Sequence, residues 1–351
     1  MRAMNTTRPA PAELGYTMPA EWAPHQATWI SWPHNAETWP GVLPQAEAAM
    51  VRAVSALAVG ETVRINVLDP GHEAHVRGLL GPTAASPAVV FHAIPTNDAW
   101  CRDHGAIFVR DATGGLAAVD CDFNAWGGKY PPWDRDDAVP QKMAAALGLP
   151  CFKAGMTLEG GSIDVNGAGA LLTTEQCLLN PNRNPTLDRG QIEARLRLLL
   201  GVRQVLWLGD GIIGDDTDGH VDDITRFVAE DTVVTVVEPD PGDPNHDPLA
   251  ENLERLRSMR LDDGRPLRIV ELPMPQPVER DGERLPASYG NFYIGNAAVL
   301  LPVFGQPRDA EAVRVLQHCF PDRRIVPVTA NELVVGLGAF HCLTQQVPAA
   351  G

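Results

Sequence analysis

The sequence predicts an α/β fold in which five strand–helix–strand units form a pseudo-symmetric, five-bladed propeller. An apolar strand, a loop rich in Pro, Asn, Gly and Asp, an amphipathic helix and a second strand recur five times along the 351 residues. Each closing strand precedes a short segment rich in Gly, Asp, Asn, His or Cys, and a ring would bring the five segments to one axis. The segments are 97–103, 158–161, 218–222, 288–291 and 339–342. No change in composition divides the chain, so we expect a single domain over residues 1–351.

The elements of the five units follow from their apolar periodicity, taken in chain order. Strand, helix and strand are expected at 27–32, 44–58 and 63–67; at 116–123, 138–147 and 150–153; at 170–174, 188–200 and 204–208; at 232–237, 249–259 and 267–272; and at 297–303, 309–320 and 324–328. Gly60, Gly148 and Gly201 follow the first three helices, and glycine commonly ends a helix because it adopts left-handed backbone angles. These residues therefore set the expected helix ends.

An alternation of strands and helices also fits a doubly wound parallel sheet, which is the more common architecture. The five comparable units and the polar segment after each closing strand favour the ring. The residues alone leave both architectures open.

The excess of acidic residues limits the kinds of partner that we expect the protein to bind. The chain carries 44 acidic and 28 basic groups, a formal net charge of -16 at pH 7. A surface of this sign repels phosphate backbones and anionic membranes, so we expect neither nucleic acid nor a membrane as a partner. Small cations would be attracted to it. The sequence leaves the oligomeric state open, and a homo-oligomer is compatible with it.

The N-terminus and the cysteines predict a cytoplasmic protein. Residues 1–7 include Arg2 but no apolar segment of the kind that a secretory signal has. Apolar runs such as 297–301 are too short to span a bilayer. The six cysteines are scattered without a Cys-x-x-Cys pair, which suits reduced thiols better than a disulfide framework.

The five polar segments contain the groups of a cysteine hydrolase. Cys342 follows the small residues 336–338, which would let a substrate approach its sulfur, although a cysteine in an apolar stretch also fits a packing role. His220 and Asp222 would point to the same face if their segment were extended. With acidic neighbours, His220 would be charged near neutral pH and able to transfer protons, while Glu159 either orients a histidine or occupies a turn.

Two aromatic segments predict a site for a planar cation. Trp100 and Asp103 place an aromatic face near a carboxylate, and such pairs bind guanidinium-like groups by cation–π contact and forked hydrogen bonds. A core tryptophan beside a helix-capping aspartate is the alternative. Trp126, in segment 124–129, is expected either in a pocket wall or in a loop.

Three other motifs are discounted. Residues 209–214 match the dinucleotide pattern G-x-G-x-x-G, but the acidic residues that follow would repel a pyrophosphate. The acidic cluster 215–218 lacks the ligand spacing of a calcium loop. His72-Glu73-Ala74-His75 is one residue short of a zinc protease motif and is better explained as an exposed helix end.

Taken together and in order, five motifs resemble the agmatine deiminase and bacterial peptidylarginine deiminase family. They are NDAWCRD (97–103), FNAWGGKY (123–130), LEGGS (158–162), DDTDGHVD (215–222) and HCLTQQ (341–346). They span nearly the whole chain. The resemblance implies a pentein, the five-bladed α/β propeller of guanidine-modifying enzymes, with one catalytic domain.

The resemblance also implies a mechanism without metal or cofactor, in which agmatine is hydrolysed to N-carbamoylputrescine and ammonia. Cys342 would attack the guanidinium carbon, His220 would transfer protons, and Glu159 would hold His220 and help to bind the substrate. Asp103 and Asp222 would grip the guanidinium nitrogens.

Two departures from the family pattern concern what lies beyond the guanidinium. Residues 336–340 read GLGAF where agmatine deiminases usually have Gly-Gly-Gly-Asn-Ile, and Asp223 stands where many have Asn. Peptidylarginine or another guanidino compound therefore stays an alternative substrate.

Overall fold

The computed structural model describes residues 9–351. Residues 1–8, which contribute to the prediction of a cytoplasmic location, lie outside the described part. Among residues 9–351, no helix has both the length and the apolar character that crossing a membrane requires.

Helices and strands both occur throughout the described chain. The helices are α1 Leu43–Leu57, α2 Pro70–Leu80, α3 Cys101–His104, α4 Ala125–Gly128, α5 Val139–Leu147, α6 Glu175–Leu178, α7 Arg189–Leu200, α8 His246–Ser258 and α9 Asp309–Cys319. The strands are β1 His25–Ser31, β2 Thr62–Val67, β3 Val89–Ala93, β4 Ile107–Arg110, β5 Leu116–Asp122, β6 Cys151–Thr157, β7 Asp164–Val165, β8 Ala170–Thr174, β9 Gln204–Leu208, β10 Thr225–Ala229, β11 Thr232–Val237, β12 Arg268–Pro273, β13 Glu279–Arg280, β14 Glu283–Arg284, β15 Tyr293–Ile294, β16 Ala298–Val303, β17 Arg324–Thr329 and β18 Thr344–Pro348.

The strands of residues 9–351 form several small sheets, five of which share one pattern. A first strand pairs antiparallel with a second, a long helix follows, and a third strand pairs parallel with the second. The sheets have the orders β18-β1-β2-β3, β4-β5-β6, β7-β8-β9, β10-β11-β12 and β15-β16-β17, and β13-β14 is a separate hairpin. The fold is mixed α/β, and these separate sheets exclude a single doubly wound sheet.

The five predicted strand–helix–strand units are present with boundaries that differ by a few residues. Each sheet also contains a first strand that the sequence does not predict. Two of these strands, β7 and β15, are only two residues long, so they show no apolar periodicity. The first unit has an additional helix and strand, α2 and β3, and His72 to His75 lie in α2 as expected of a helix end.

Two of the three helix-ending glycines act as predicted. Gly148 and Gly201 follow α5 and α7 with φ of 65° and 66°, in the left-handed region. Gly60 does not, because α1 ends at Leu57 and Gly60 has no left-handed φ. A β-carbon on Gly60 would lie 2.7 Å from the Ala297 side chain, so a close approach of two chain segments requires glycine there.

The last strand, β18, pairs with the first strand, β1, so the two ends of the described chain meet in one sheet. Strand β18 lies antiparallel to β1, with Ile30 opposite Thr344 and Trp29 opposite Gln345. Val347 of β18 is fully buried in a cluster with Trp29 and Phe108. The first sheet is therefore complete only when the C-terminal strand is in place.

Val347→Ala is expected to lower the free energy of unfolding by about 2 kcal/mol, because it removes two buried methyl groups and leaves a cavity. Urea unfolding followed by circular dichroism measures this. Val59→Ala is the matched control, since Val59 is 76% exposed and should change stability by less than about 0.5 kcal/mol. Equal stability of the two variants would contradict a structural role for β18.

Candidate active site

The structure brings side chains from all five predicted segments together. Each segment leads directly into the first strand of one sheet. The converging residues are Trp100 and Asp103 of the first segment, Glu159 and Gly161 of the second, His220 and Asp222 of the third, Asn291 of the fourth and Cys342 of the fifth. The short first strands are thus the elements that aim these segments at one point.

Gly161 lies at the centre of this site. Its backbone N–H donates to Asp103 Oδ1 at 3.0 Å. A β-carbon at this position would lie 2.6 Å from His220 Nδ1, 2.8 Å from Asp103 Oδ1 and 3.0 Å from Asp222 Oδ2. Any larger residue would push these three side chains apart, so glycine allows them to converge.

Cys342 is 4% exposed and lies at the floor of the open cavity described below. Asn291 Nδ2 donates to its sulfur at 3.0 Å, and the thiol faces Asp222 Oδ2 at 3.6 Å. Burial, together with the negative charges of Asp222, Asp223 and Asp103, raises the pKa of the Cys342 thiol well above its usual value. The group is therefore a neutral thiol at pH 7 in the free protein.

His220 is fully buried, and its Nδ1 lies 3.8 Å from Asp103 Oδ1. Burial opposes protonation of the ring, but Asp103, Cys177 and Asp222 outweigh it and raise the pKa of His220 well above its usual value. Val221–Asp223 is a 3₁₀ turn and not the extended segment that would place His220 and Asp222 on the same face by strand alternation. The turn nevertheless directs both side chains toward Gly161.

Glu159 has an unpredicted partner. Arg183 Nε donates to Glu159 Oε1 at 2.5 Å, and Arg183 also binds Asp218 at 2.5 Å. Glu159 lies near His220, with ligand atoms of the two within 4.8 Å, but no hydrogen bond joins them in the described chain. The structure therefore places Glu159 beside His220 while Arg183 fixes its orientation.

Asp103 accepts hydrogen bonds on both oxygens. Trp126 Nε1 donates to Oδ2 at 3.0 Å, and the Gly161 N–H donates to Oδ1. Burial raises the pKa of Asp103, and His220 offsets part of that rise. Trp126 has a left-handed φ of 54°, a strained conformation for a tryptophan, and Asn124 stabilises the turn by accepting from Gly127 N at 2.8 Å. In this turn conformation the indole lies against Asp103.

Asp222 belongs to a buried charge network that the sequence did not reveal. One oxygen, Oδ2, lies 2.6 Å from His341 Nδ1, and His341 Nε2 lies 2.8 Å from Glu21 Oε2. Arg102 and Arg226 contact Glu21 at 3.2 and 2.9 Å. Burial raises the pKa of Asp222, but its contact with His341 outweighs this, and the pKa is lowered overall. The carboxylate is therefore ionised at neutral pH.

An open cavity of about 860 Å³ leads to these groups. Trp100, Asp103, Trp126 and Cys342 line it, whereas His220 lies deeper and is fully buried. Gly338 allows this wall to form, because a β-carbon there would lie 2.5 Å from the Trp100 ring.

Several buried polar atoms beneath the cavity lack hydrogen-bond partners within residues 9–351. They are Glu159 Oε2, His220 Nδ1 and Nε2, and Asp222 Oδ1. Unpartnered buried polar groups are costly, and a cationic donor supplied by a ligand would satisfy the oxygens. Glu159, Cys177 and His220 also lie close enough together to hold a metal ion. The site can thus bind a cation next to a thiol.

The chain is similar to known deiminases in sequence and in structure. The family model described as Porphyromonas-type peptidyl-arginine deiminase matches residues 17–348. The chain is 40% identical to an agmatine deiminase of Stutzerimonas stutzeri over 99% of both chains. The structure matches that of an agmatine deiminase of Enterococcus faecalis with a TM-score of 0.93 and 34% identity, covering 99% of this chain and 100% of the other.

A more distant likeness concerns the fold alone. An inosamine-phosphate amidinotransferase of Streptomyces griseus matches with a TM-score of 0.52 and 13% identity, over 96% of this chain and 97% of the other. The family match and the full-length relatives confirm the resemblance seen in the five motifs. The chain belongs to the Porphyromonas-type peptidyl-arginine deiminase family.

Proposed function

We propose that this protein is an agmatine deiminase that hydrolyses agmatine to N-carbamoylputrescine and ammonia. The observation that carries the proposal is the convergence of Cys342, His220, Asp103 and Asp222 around Gly161. Guanidinium is a poor electrophile, so a fixed geometry and a thiolate nucleophile supply much of the rate. The relative from S. stutzeri, which is 40% identical over 99% of both chains, is an agmatine deiminase.

Substrate binding begins with the planar guanidinium entering between the two carboxylates. Asp103 and Asp222 accept its N–H groups as charge-assisted hydrogen bonds, and Trp100 and Trp126 form the walls. Asp222 Oδ1 has no partner within residues 9–351, so it is available for this contact. The guanidinium carbon then lies above the Cys342 sulfur.

Arrival of the substrate activates the thiol. The carboxylates that raise the pKa of Cys342 are neutralised when the guanidinium cation binds between them. The thiol proton is released to solvent, so the site exchanges a proton for a cation. The nucleophile therefore forms only when there is a substrate to attack.

The covalent steps use His220 twice. The Cys342 thiolate attacks the guanidinium carbon, and the tetrahedral adduct receives a proton from the His220 imidazolium as ammonia leaves, giving a cationic thiouronium intermediate. Neutral His220 then takes a proton from water while the hydroxide adds to the same carbon. The carbon–sulfur bond breaks, the sulfur recovers a proton, and N-carbamoylputrescine leaves. Glu159 stabilises the imidazolium across a distance of less than 4.8 Å.

The fold that supports this site is a closed five-bladed propeller in our proposal. Its support is the repeated pattern of five sheets and the pairing of β18 with β1. We further propose a cytoplasmic enzyme, compatible with homo-oligomers, whose partner is a small guanidino cation rather than nucleic acid or a membrane. The net charge of -16 supports the choice of a cation.

Peptidylarginine is the alternative substrate. The cavity of about 860 Å³ is open and larger than the four-carbon amine tail of agmatine requires, so it could also accept an arginine side chain that belongs to a peptide. The family model is also named for peptidyl-arginine deiminase.

Ammonia release from agmatine, free arginine and an N-acylated arginine amide, each offered without added metal, tests the function. Agmatine is expected to be the preferred substrate. Preference for the arginine amide would move the assignment to peptidylarginine, and no release from any of the three would contradict a deiminase.

The control for this experiment is Cys342→Ser. It should lower turnover at least about 10³-fold because serine is a far weaker nucleophile, while agmatine binding measured by calorimetry persists. Cys319→Ser, a half-buried thiol at the end of α9, should retain full activity. Full activity of Cys342→Ser would exclude the covalent mechanism.

The raised pKa of Cys342 predicts an unusual pH dependence of alkylation. A raised pKa means that less thiolate is present at each pH below it, so the rate of reaction with iodoacetamide should keep rising beyond about pH 9.5, where a thiol of ordinary pKa is almost fully ionised. Mass spectrometry of the Cys342 peptide measures the rate, with N-acetylcysteine as the reference. A plateau at or below the pH of the reference would contradict the raised pKa.

His341 is proposed as a positioning residue for Asp222. His341→Gln should lower kcat/KM about 10- to 100-fold, mainly through KM, because one charge-assisted contact of Asp222 is lost. In an Asp222→Asn background, His341→Gln should lower kcat/KM by less than about threefold, because the carboxylate that His341 positions is absent. Additive losses in the double variant, with circular dichroism showing folded protein, would rule out this role.

A further inference from the structure

A second cysteine lies beneath the proposed active site, and the mechanism above does not use it. Cys177, on the short helix α6, is fully buried. Its sulfur, a ring nitrogen of His220 and a carboxylate oxygen of Glu159 lie within 4.8 Å of one another. These three residues come from three different segments, so their proximity is set by the fold. We infer that Glu159, Cys177 and His220 form an inhibitory binding site for a thiophilic divalent cation, with zinc as the best fit.

The chemical types of the three ligand atoms favour zinc over other divalent metals. Zinc is bound by sulfur, imidazole nitrogen and carboxylate oxygen, and three protein ligands leave its fourth position open to water. Magnesium and calcium prefer all-oxygen sites, which the thiol excludes. Ligand atoms of one tetrahedral zinc lie roughly 3.3–3.8 Å apart, so shifts of about 1 Å would complete the site.

The ligand atoms are available for a metal. Within residues 9–351, neither ring nitrogen of His220 has a hydrogen-bond partner, and Glu159 Oε2 has none either. All of these atoms are buried, where an unpaired polar group is costly. The other oxygen of Glu159 is held by Arg183. A cation at this point would satisfy atoms that the protein itself leaves unpaired.

The surrounding charges favour a cation as well. Asp103 Oδ1 lies 3.8 Å from His220, and Asp222 approaches the same glycine. Arg183 is the opposing positive charge, and Asp218, at 2.5 Å, neutralises it in part. The site that is shaped for a guanidinium is therefore also electrostatically suited to a dication.

Zinc binding would stop the proposed reaction. The metal displaces one proton from the Cys177 thiol and one from the His220 imidazolium, and both go to solvent. His220 is then a ligand and cannot protonate the leaving ammonia. The dication would also repel an incoming guanidinium. The binding inference is independent of the proposed function, whereas the inhibition rests on it.

Cobalt titration of the reduced protein tests the binding, because a thiolate–cobalt charge-transfer band reports a bound sulfur. The wild type and three serine variants are compared. Cys342→Ser retains the second thiol but has no nucleophile, Cys177→Ser removes the proposed ligand, and Cys121→Ser removes a buried thiol of β5 as the matched control. The band is expected in every protein except Cys177→Ser, and zinc should abolish it by displacement.

Inhibition is measured as ammonia release from agmatine at increasing zinc. Cys177→Ser should need about tenfold more zinc than the wild type or Cys121→Ser for half-inhibition. A band that survives in Cys177→Ser but disappears in Cys342→Ser would assign the metal to the nucleophile and overturn the inference, as would no band in the wild type. If Cys177→Ser fails to fold, Glu159→Gln replaces it, because this variant removes a proposed ligand and retains the Cys177 thiol. Glu159→Gln is then expected to bind cobalt more weakly than the wild type, and unchanged binding would overturn the inference. Turnover without zinc tests the proposed function separately.

Discussion

The burial of carboxylates beside the Cys342 thiol is the constraint on which the rest of this site depends. A buried carboxylate stays ionised only when other groups replace the water that it has lost. His341 does this for one oxygen of Asp222, and Glu21, held by Arg102 and Arg226, contacts the opposite side of His341. The charge and orientation of Asp222 are therefore fixed before a substrate arrives, which is the condition for electrostatic preorganisation.

Burial and the same charges together keep the thiol unreactive, because both raise the pKa of Cys342 and hold it as a neutral thiol. In the proposed mechanism, a cation between Asp103 and Asp222 offsets the effect of the carboxylates. A small neutral molecule in the cavity would not do so. In the proposed mechanism, selectivity for guanidino compounds therefore arises from the activation of Cys342 as well as from the hydrogen bonds to the substrate. The proposed zinc site depends on the same arrangement, because the ring nitrogens of His220 and the Oε2 atom of Glu159 have no hydrogen-bond partner within residues 9–351.

Most of the fold could be predicted from the sequence, and the missing parts have a common cause. Apolar periodicity identified the strand–helix–strand units because each element is long enough to show a repeat. The first strands, such as β7 and β15, were missed because two residues show none. Their positions are decided by pairing with neighbours distant in sequence. Helix ends followed from Gly148 and Gly201, but Gly60 serves a contact with Ala297 that no local pattern shows.

The sequence by itself determined the chemical inventory: a thiol at Cys342, an imidazole at His220 and carboxylates at Asp103 and Asp222, each marked by an adjoining motif. Only the tertiary structure decided which groups act on one another. The structure shows that Arg183 contacts Glu159 and that His341 contacts Asp222, which no local sequence pattern indicates. The physical reason is that the charge state of a buried group depends on neighbours in space, and these come from segments far apart in the chain.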